Sequence, residues 1–224
     1  MKILFLSDLH LGSPLFDHPK RVASLLHDNY DIVFIVGDII DEWEMPIHSI
    51  VSEYIELISI LNSLSNLVII RGNHDPNIDK LQEIFPNAEV VKDYEIFVDN
   101  ERIKIIHGHE FDDLILKYYW VAKLFFPFQW ISERLGYNIK GKIRDLLHSI
   151  AMKKQDAQYN DLVLEIEKRA VDEYYGEYTS VVMGHTHLPK LVIGDFTYVN
   201  VGDWTDHSTY VLFEGSKFTL KGEY

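Results

Sequence analysis

Five short apolar runs divide the chain, and each leads directly into a polar loop. The runs are residues 3–6, 32–36, 67–70, 103–106 and 181–183. Continuous apolar runs of this kind are typical of strands that are buried on both faces. Between the first three runs, residues 18–29 and 47–63 carry apolar side chains at helical spacing. Because strands alternate with helices, the pattern predicts an α/β fold with parallel strands.

The pattern changes after residue 187, where shorter runs alternate between apolar and polar positions. Residues 190–193, 196–201, 209–213 and 217–220 are predicted strands of this kind. Short alternating strands joined by brief turns favour antiparallel neighbours. We therefore expect these four strands to form a second sheet of meander type.

Residues 111–178 interrupt the rhythm, because they carry no strand signal and their apolar positions follow a helical pattern. Within them, residues 114–155 contain eight aromatic and eight basic side chains but only two acidic ones. We expect a single domain over residues 1–224, with residues 111–178 inserted as a helical cap. Aromatic surface beside Lys and Arg suits an amphiphile with acyl chains and phosphates, or peripheral contact with a membrane. A small aromatic core inside the cap is the alternative.

Composition limits the function. The net charge of −14 disfavours nucleic acid as a partner, because that affinity comes mostly from phosphate neutralisation. The sequence has no cysteine, which excludes disulfides and thiolate chemistry and fits a reducing cytoplasm. The first residues predict a strand rather than a signal peptide, and no apolar stretch is long enough to span a membrane. We expect a cytoplasmic protein that can lie peripherally at the inner face of the membrane.

Side chains that bind divalent cations follow all five apolar runs. The candidates are Asp8, His10, Asp38, Asn73, His185 and His187, together with His107 or His109 after the fourth run. Loops beyond the carboxyl ends of parallel strands collect in one place, so these side chains are expected to converge. Oxygen and imidazole ligands suit Mn, Fe, Zn or, less well, Mg, and we favour Mn. Two cations about 3.5–4 Å apart can activate a bridging hydroxide as nucleophile and clamp the phosphate, so no protein nucleophile is needed.

Taken in order, these motifs resemble the complete set of the calcineurin-like metallophosphoesterases. The set is Asp8-x-His10, Gly37-Asp38, Gly72-Asn73-His74-Asp75, His107-Gly108 and Gly184-His185-Thr186-His187. The resemblance implies a four-layer α/β/β/α sandwich, with the helical cap as an insertion. It also implies two ligand sets, one of Asp8, His10, Asp38 and His187, the other of Asp38, Asn73, His107 and His185.

The same resemblance assigns catalytic roles to His74 and Asp41. His74 would face the substrate phosphate without binding metal, and would stabilise the transition state or protonate the leaving oxygen. Asp41 would orient His74 by accepting its other N–H. His109 lies two residues after His107 and offers an alternative ligand, although the family's ligand precedes the glycine.

Two tryptophan motifs narrow the resemblance to the UDP-2,3-diacylglucosamine pyrophosphohydrolases of lipid A synthesis. Residues 37–43 are similar to the Gly-Asp-x-x-Asp-x-Trp signature of that branch, and residues 202–204 to its Gly-Asp-Trp. The branch also carries a helical insertion at the position of the cap. We predict substrate contacts from Trp43, His109, Lys140 and Arg144. The chain departs from the branch at His74, where the lipid A enzymes have arginine, and at His109, where they have an acid.

These observations predict a two-metal hydrolase that cleaves a UDP-2,3-diacylglucosamine-like lipid or a nucleoside diphosphate. The alternative enzyme is a general phosphodiesterase or phosphatase for nucleotides or other small phosphate esters. The non-enzymatic alternative is an interaction scaffold that retains the fold but has no hydrolytic activity. The sequence leaves the oligomeric state open.

Overall fold

The computed structural model describes residues 1–113 and 158–222. The chain folds into two compact units. The first comprises residues 1–108 and 171–224, and the second comprises residues 109–170. Both sheets lie in the first unit, which also holds all five polar loops that sequence analysis singled out.

The first sheet has six strands in the order β11-β10-β1-β2-β3-β4. Their bounds are β1 (Lys2–Leu6), β2 (Ile32–Val36), β3 (Leu67–Ile70), β4 (Glu89–Val91), β10 (Tyr210–Glu214) and β11 (Lys217–Lys221). Strands β1 to β4 run parallel, as predicted for the first three, and β10 and β11 are antiparallel additions beside β1.

Four helices accompany this sheet: α1 (Pro19–Leu26), α2 (Ile47–Glu53), α3 (Ile55–Ser63) and α4 (Ile78–Ile84). The helix expected over residues 47–63 is divided at Tyr54, whose φ of −103° and ψ of 25° leave the α-helical region. Helix α4 was not predicted. Its start is capped by Asn77, whose side chain accepts a hydrogen bond of 2.9 Å from Lys80 N.

The second sheet has five strands in the order β5-β6-β7-β9-β8. Their bounds are β5 (Asp93–Val98), β6 (Glu101–Ile106), β7 (Ser180–Met183), β8 (Lys190–Val192) and β9 (Thr197–Asn200). Strands β6, β7 and β9 run parallel, while β5 and β8 pair antiparallel at the edges. Two sheets and, within the described residues, five helices confirm the predicted α/β class.

The meander predicted after residue 187 is wrong. Strands β8 and β9 join the second sheet, whereas β10 and β11 join the first. Burial explains the division. Val199 of β9 and Phe213 of β10 enter the same core between the sheets from opposite sides. Alternation identifies strands with one buried face but does not identify the neighbour with which each strand pairs.

Strand β1 supplies both hydrophobic cores because successive side chains of a strand point to opposite faces. Ile3 and Phe5 pack between the sheets, where Phe5 stacks on Phe34 with ring centroids 5.2 Å apart. Leu4 and Leu6 pack in the core that contains the buried residues of helices α1, α3 and α4. The loop that follows β1 is therefore anchored from both sides.

In the second unit, the described residues include a 3₁₀ helix (His109–Phe111) and most of helix α5 (Gln158–Tyr174), which ends in the first unit. Arg169 links these elements: its Nη1 donates to Phe111 O over 2.9 Å and lies 3.1 Å from Asp113 Oδ2. In residues 1–113 and 158–222, no helix combines the length and the apolarity needed to cross a membrane.

Candidate metal centre and active site

The loops that follow β1, β2, β6 and β7 are joined by backbone hydrogen bonds. Asp8 N donates to Gly37 O over 3.1 Å, and His10 N donates to Asp38 O over 2.9 Å. Gly184 N donates to His107 O over 3.1 Å within the second sheet. Trp204 N donates to Asp8 O over 3.1 Å and links the two sheets. The carboxyl ends of both sheets therefore meet at one place.

Backbone strain is concentrated in these loops. Asp8, His10, Asp38, His185 and His187 have φ between 48° and 66°. They are five of the nine non-glycine residues with positive φ within the described part of the chain. This left-handed region is costly for side chains with a Cβ, and residues held there cluster at functional sites.

Asp8, His10 and His187 form the first group of side chains that could hold a cation. His187 Nε2 lies 3.2 Å from Asp8 Oδ1 and 3.3 Å from His10 Nε2. Asp8 Oδ1 is buried and accepts no hydrogen bond from any described residue. Burying a carboxylate oxygen without a donor is costly, so these converging atoms fit a bound cation.

His107 joins a second group with Asp38, Asp8 and Asn73. Its Nε2 lies 3.2 Å from Asp38 Oδ2 and 3.1 Å from Asn73 Oδ1. Its Nδ1 lies 2.9 Å from Val36 O, which can only accept a hydrogen. Nδ1 therefore carries a hydrogen, and Nε2 is directed at the group. A backbone carbonyl that accepts from one nitrogen of a histidine in this way orients the other nitrogen towards a metal site.

Asp41 holds two histidines. Its Oδ2 lies 3.0 Å from His10 Nδ1, and its Oδ1 lies 3.2 Å from His74 Nδ1. His74 N also donates to Asp38 Oδ1 over 2.7 Å. The predicted catalytic histidine is thus attached to a predicted metal ligand through its own backbone. The indole of Trp43 stacks on its ring, with centroids 4.0 Å apart.

The carboxylates of the site favour the positively charged form of its buried histidines. Burial disfavours the imidazolium form of His107, yet the Asp38 carboxylate raises the pKa of His107 to about 10. Against the same effect of burial, Asp41 raises the pKa of His10 and Asp8 raises that of His187. Conversely, the neighbouring imidazoles outweigh burial and lower the pKa of Asp8 and Asp38. Ionised carboxylates at this depth create a pocket suited to divalent cations.

Two glycines permit the close packing of these loops. A Cβ on Gly37, whose φ is +88°, would overlap the His107 ring. A Cβ on Gly184 would overlap Ser7 Oγ and Asp8 Oδ2. Only glycine therefore allows these ligand-bearing loops to approach each other so closely.

Asp75 and Asp203 are buried carboxylates that sequence analysis did not assign. Asp75 accepts hydrogen bonds from Ile40 N and Gly72 N, both over 2.8 Å. It thereby connects the loop that contains Asp38 with the loop that contains Asn73. Burial, followed by the charge of Asp38, raises the pKa of Asp75 to about 7. Asp75 could have been singled out from the sequence, because it is the last residue of the Gly-Asn-His-Asp motif.

Asp203 lies behind His187. Its Oδ2 is 4.0 Å from His187 Nδ1 and 2.7 Å from His207 Nδ1. Its Oδ1 accepts hydrogen bonds from Thr205 N over 2.8 Å and from His207 N over 3.2 Å. The Gly-Asp-Trp motif marks Asp203 in the sequence, but the sequence does not show that this residue lies beside His187.

Other predicted residues are placed less centrally or lie outside the described residues. The ring of His185 packs edge-on against His107, with centroids 5.2 Å apart, and its backbone N donates to Asp8 Oδ2 over 3.1 Å. His109 begins the 3₁₀ helix of the second unit, with Nδ1 3.5 Å from Glu110 Oε2. Lys140 and Arg144 lie outside the described residues.

The sequence model of the calcineurin-like phosphoesterases matches residues 1–189. The chain belongs to the calcineurin-like phosphoesterase family. It is accordingly a metal-dependent phosphoesterase, as predicted, and members of this family use a dinuclear metal site. The Asp and His groups described above are candidate ligands for such a site. No curated protein matches the sequence of the chain.

Solved structures support the fold. An archaeal phosphodiesterase has a TM-score of 0.52 and 16% identity, and the match covers 99% of both chains. The E. coli phosphoesterase Yfce has a TM-score of 0.54 and 16% identity, over 98% of this chain and 91% of that one. Vps29 from Entamoeba histolytica, complexed with zinc, has a TM-score of 0.50 and 12% identity, over 99% and 98%. At these identities the likeness shows the fold alone.

Proposed function

We propose that the centre around Asp8 and Asp38 hydrolyses a phosphoanhydride or phosphoester, with His74 acting on the substrate. The observation that carries this proposal is the convergence of ligand atoms from loops of both sheets, with His74 attached to Asp38 through a 2.7 Å hydrogen bond. A catalytic group fixed to the metal-binding shell is positioned for a reaction at a bound phosphate.

Two divalent cations, which we propose to be Mn, would be held by residues of this centre. One would take Asp8, His10, Asp38 and His187, and the other Asp38, Asn73, His107 and His185. When bound, such a pair supplies Lewis-acid activation of water and charge neutralisation at the phosphate. The buried Asp8 Oδ1, which accepts no hydrogen bond from a described residue, and the facing nitrogens of His10 and His187 fit this assignment.

His74 is the proposed proton donor to the leaving oxygen. Asp41 accepts from His74 Nδ1, which leaves Nε2 as the nitrogen that can face the substrate. A quarter of the His74 side chain is exposed, whereas Asp41 is nearly buried. The exposed edge can therefore reach a phosphate while the buried edge keeps the ring in orientation.

The substrate class that we propose is a nucleoside diphosphate joined to a lipid, similar to UDP-2,3-diacylglucosamine. Its support is the residue 37–43 signature, the Gly-Asp-Trp motif and the basic, aromatic composition of residues 114–155. The two tryptophans have different environments, since Trp204 is 1% exposed in the core and Trp43 lies on His74. A direct role at the site is thus proposed for Trp43 alone.

The decisive experiment incubates the purified protein with Mn and UDP-2,3-diacylglucosamine and measures release of UMP. Asp38→Ala is the blank, because it removes the carboxylate shared between both proposed ligand sets. We expect release by the wild type and none by the variant. Absence of UMP from this and related lipid-linked diphosphates, together with turnover of simple diesters, would reject the lipid assignment and retain the phosphoesterase.

A general phosphodiesterase or phosphatase is the second candidate. The specific observation in its favour is His74, which stands where the lipid A enzymes have arginine and which Asp41 and Trp43 hold at the site. This candidate predicts efficient hydrolysis of bis(p-nitrophenyl) phosphate and of nucleotide esters without any lipid. A preference below about tenfold for the lipid-linked diphosphate would favour it.

We further propose a cytoplasmic enzyme whose cap makes peripheral contact with the membrane through its aromatic and basic residues. Flotation with vesicles of phosphatidylglycerol tests this contact. Binding that weakens steeply as salt is raised is expected, because basic residues recognise an anionic surface electrostatically. Binding neither to these vesicles nor to neutral ones would reject it.

A further inference from the structure

Trp43 and His74 form a stacked pair at the candidate active site. Their ring centroids are 4.0 Å apart, and their planes are inclined by 29°. This is the separation of direct van der Waals contact between two flat rings. The face of His74 beneath Trp43 is therefore covered.

Trp43 and His74 are also joined through Asp41. Trp43 N donates to Asp41 Oδ1 over 3.2 Å, and the same oxygen lies 3.2 Å from His74 Nδ1. Next to Trp43, Glu42 N donates to His74 O over 3.4 Å. The loop after β2 thus holds the backbone, the Nδ1 atom and one face of His74.

His10 restricts another direction. Its ring meets that of His74 edge to face, with centroids 4.8 Å apart and an angle of 82°. Rotation of the His74 side chain away from its observed orientation would therefore have to displace Trp43, break the contact with Asp41, or meet His10. Among these three neighbours, Trp43 has an uncharged side chain and contacts the His74 ring through its face.

We propose that Trp43 is a positioning residue that holds the His74 ring in its reactive orientation. This differs from the substrate contact predicted from sequence, because one face of the Trp43 indole is occupied by the His74 ring. The inference rests on the proposed role of His74 as proton donor. A mispositioned donor lowers the rate of the chemical step without removing the groups that bind the phosphate.

Kinetics of Trp43→Leu and Trp43→Phe test the proposal. For a diester with a poor leaving group, we expect Trp43→Leu to lower kcat by about 10- to 100-fold with little change in KM. Trp43→Phe, which retains a flat ring, should recover most of this loss. Activated nitrophenyl esters need little proton donation and should be affected much less.

The double variant with His74→Ala separates positioning from substrate contact. If Trp43 acts through His74, Trp43→Leu should have no further effect on kcat once the imidazole is absent. An equal loss in both backgrounds, or a rise in KM as the main effect, would overturn the proposal. The wild type must hydrolyse the nitrophenyl ester in the same assay. If it does not, the proposed function fails, whatever the role of Trp43.

The stacking of Trp43 on His74 can also be tested by a measurement that does not depend on enzyme activity. In the NMR spectrum of the wild type, the ring protons of His74 should lie upfield, because the indole ring current acts on them at this distance. His74→Ala identifies the signals, Trp43→Leu should return them to ordinary positions, and Trp43→Phe should have an intermediate effect. Signals at ordinary positions in the wild type would contradict the pair.

Discussion

Asp41 Oδ2 lies 3.0 Å from His10 Nδ1. The sequence predicts that Asp41 orients His74 alone, but in the structure the second oxygen of Asp41 contacts His10, a proposed metal ligand. The same carboxylate therefore orients His10 towards Asp8 and His187 and holds His74 at the rim. Burial raises the pKa of Asp41, but the two imidazoles outweigh this effect and keep the carboxyl ionised. The proposed metal binding by His10 and the proposed proton donation by His74 would therefore be coupled through one side chain.

This coupling predicts two losses in Asp41→Asn. A carboxylate behind a ligand histidine fixes its ring and increases its basicity, so we expect Mn affinity to fall by about 10- to 100-fold. The kcat should fall at saturating Mn as well, since His74 loses its partner. Calorimetric titration with Mn and kinetics measure the two effects.

His74→Ala is the matched control for Asp41→Asn. It should lower kcat by a factor on the order of 10²–10⁴ for a poor leaving group while Mn affinity stays near that of the wild type. If Asp41→Asn bound Mn as tightly as His74→Ala does, support of His10 by Asp41 would be refuted.

Mn should stabilise the folded chain. A ligand that binds only the native state at 100 times its Kd adds about 2.7 kcal/mol, which for a chain of this size corresponds to roughly 5–10 °C in Tm. The physical reason is the buried Asp8 and Asp38 carboxylates, which the cations would neutralise. Thermal unfolding with Mn and with EDTA measures the shift.

Asp38→Ala removes the carboxylate that the two ligand sets share and should abolish most of this Tm shift. Lys217→Ala, an exposed change on β11, is the reference and should show the full shift. Equal shifts in Asp38→Ala and in the reference would argue against Asp38 as a ligand.

Gly184→Ala should damage the site through sterics alone. The new methyl group would overlap Ser7 Oγ and Asp8 Oδ2, so the loop after β7 must withdraw from the loop after β1. Overpacking of this kind costs about 1–3 kcal/mol of unfolding free energy, and Mn affinity should fall as well. Urea unfolding and Mn titration provide both measurements.

Gly194→Ala is the matched control, because its methyl group would meet only Phe196 O at an ordinary 3.7 Å. We expect its stability and Mn affinity to remain within experimental error of the wild type. Indistinguishable effects of the two substitutions would mean that the packing of Gly184 is unimportant.

Asp203 predicts a dependence of stability on pH. Burial opposes its ionisation, but His187, the Asp206 amide and His207 lower the pKa of Asp203 below its usual 3.8. Because the folded-state pKa is the lower one, this contribution to stability is present above about pH 4 and is lost as the pH falls through the folded-state value.

The measurement is the unfolding free energy of the wild type and of Asp203→Asn between pH 3 and 6, with EDTA present. The advantage of the wild type over the variant should be largest near pH 6 and should shrink below about pH 4. An advantage that is independent of pH would show that the Asp203 charge does not contribute.

Several parts of the molecule followed from local patterns. Strands β2 and β3 lie at the predicted residues, because continuous apolar runs can be buried only where both faces of a strand are covered. The polar clusters could be placed in advance at the carboxyl ends of strands, and their ordered motifs carried the resemblance that implied the family and its two-metal chemistry. Each motif lies within a few consecutive residues, so its recognition required no knowledge of tertiary contacts.

Other parts depended on which segments approach each other across the chain. Asp8 and His187 are 179 residues apart in number and 3.2 Å apart in space. Asp and His adopt the left-handed backbone more often than most residues, but this weak preference does not select the positions at which they do so. The distribution of β8 to β11 between two sheets, the second partner of Asp41 and the stack of Trp43 on His74 are of the same kind. Each is selected by the packing energy of the whole fold, which no short window of residues contains.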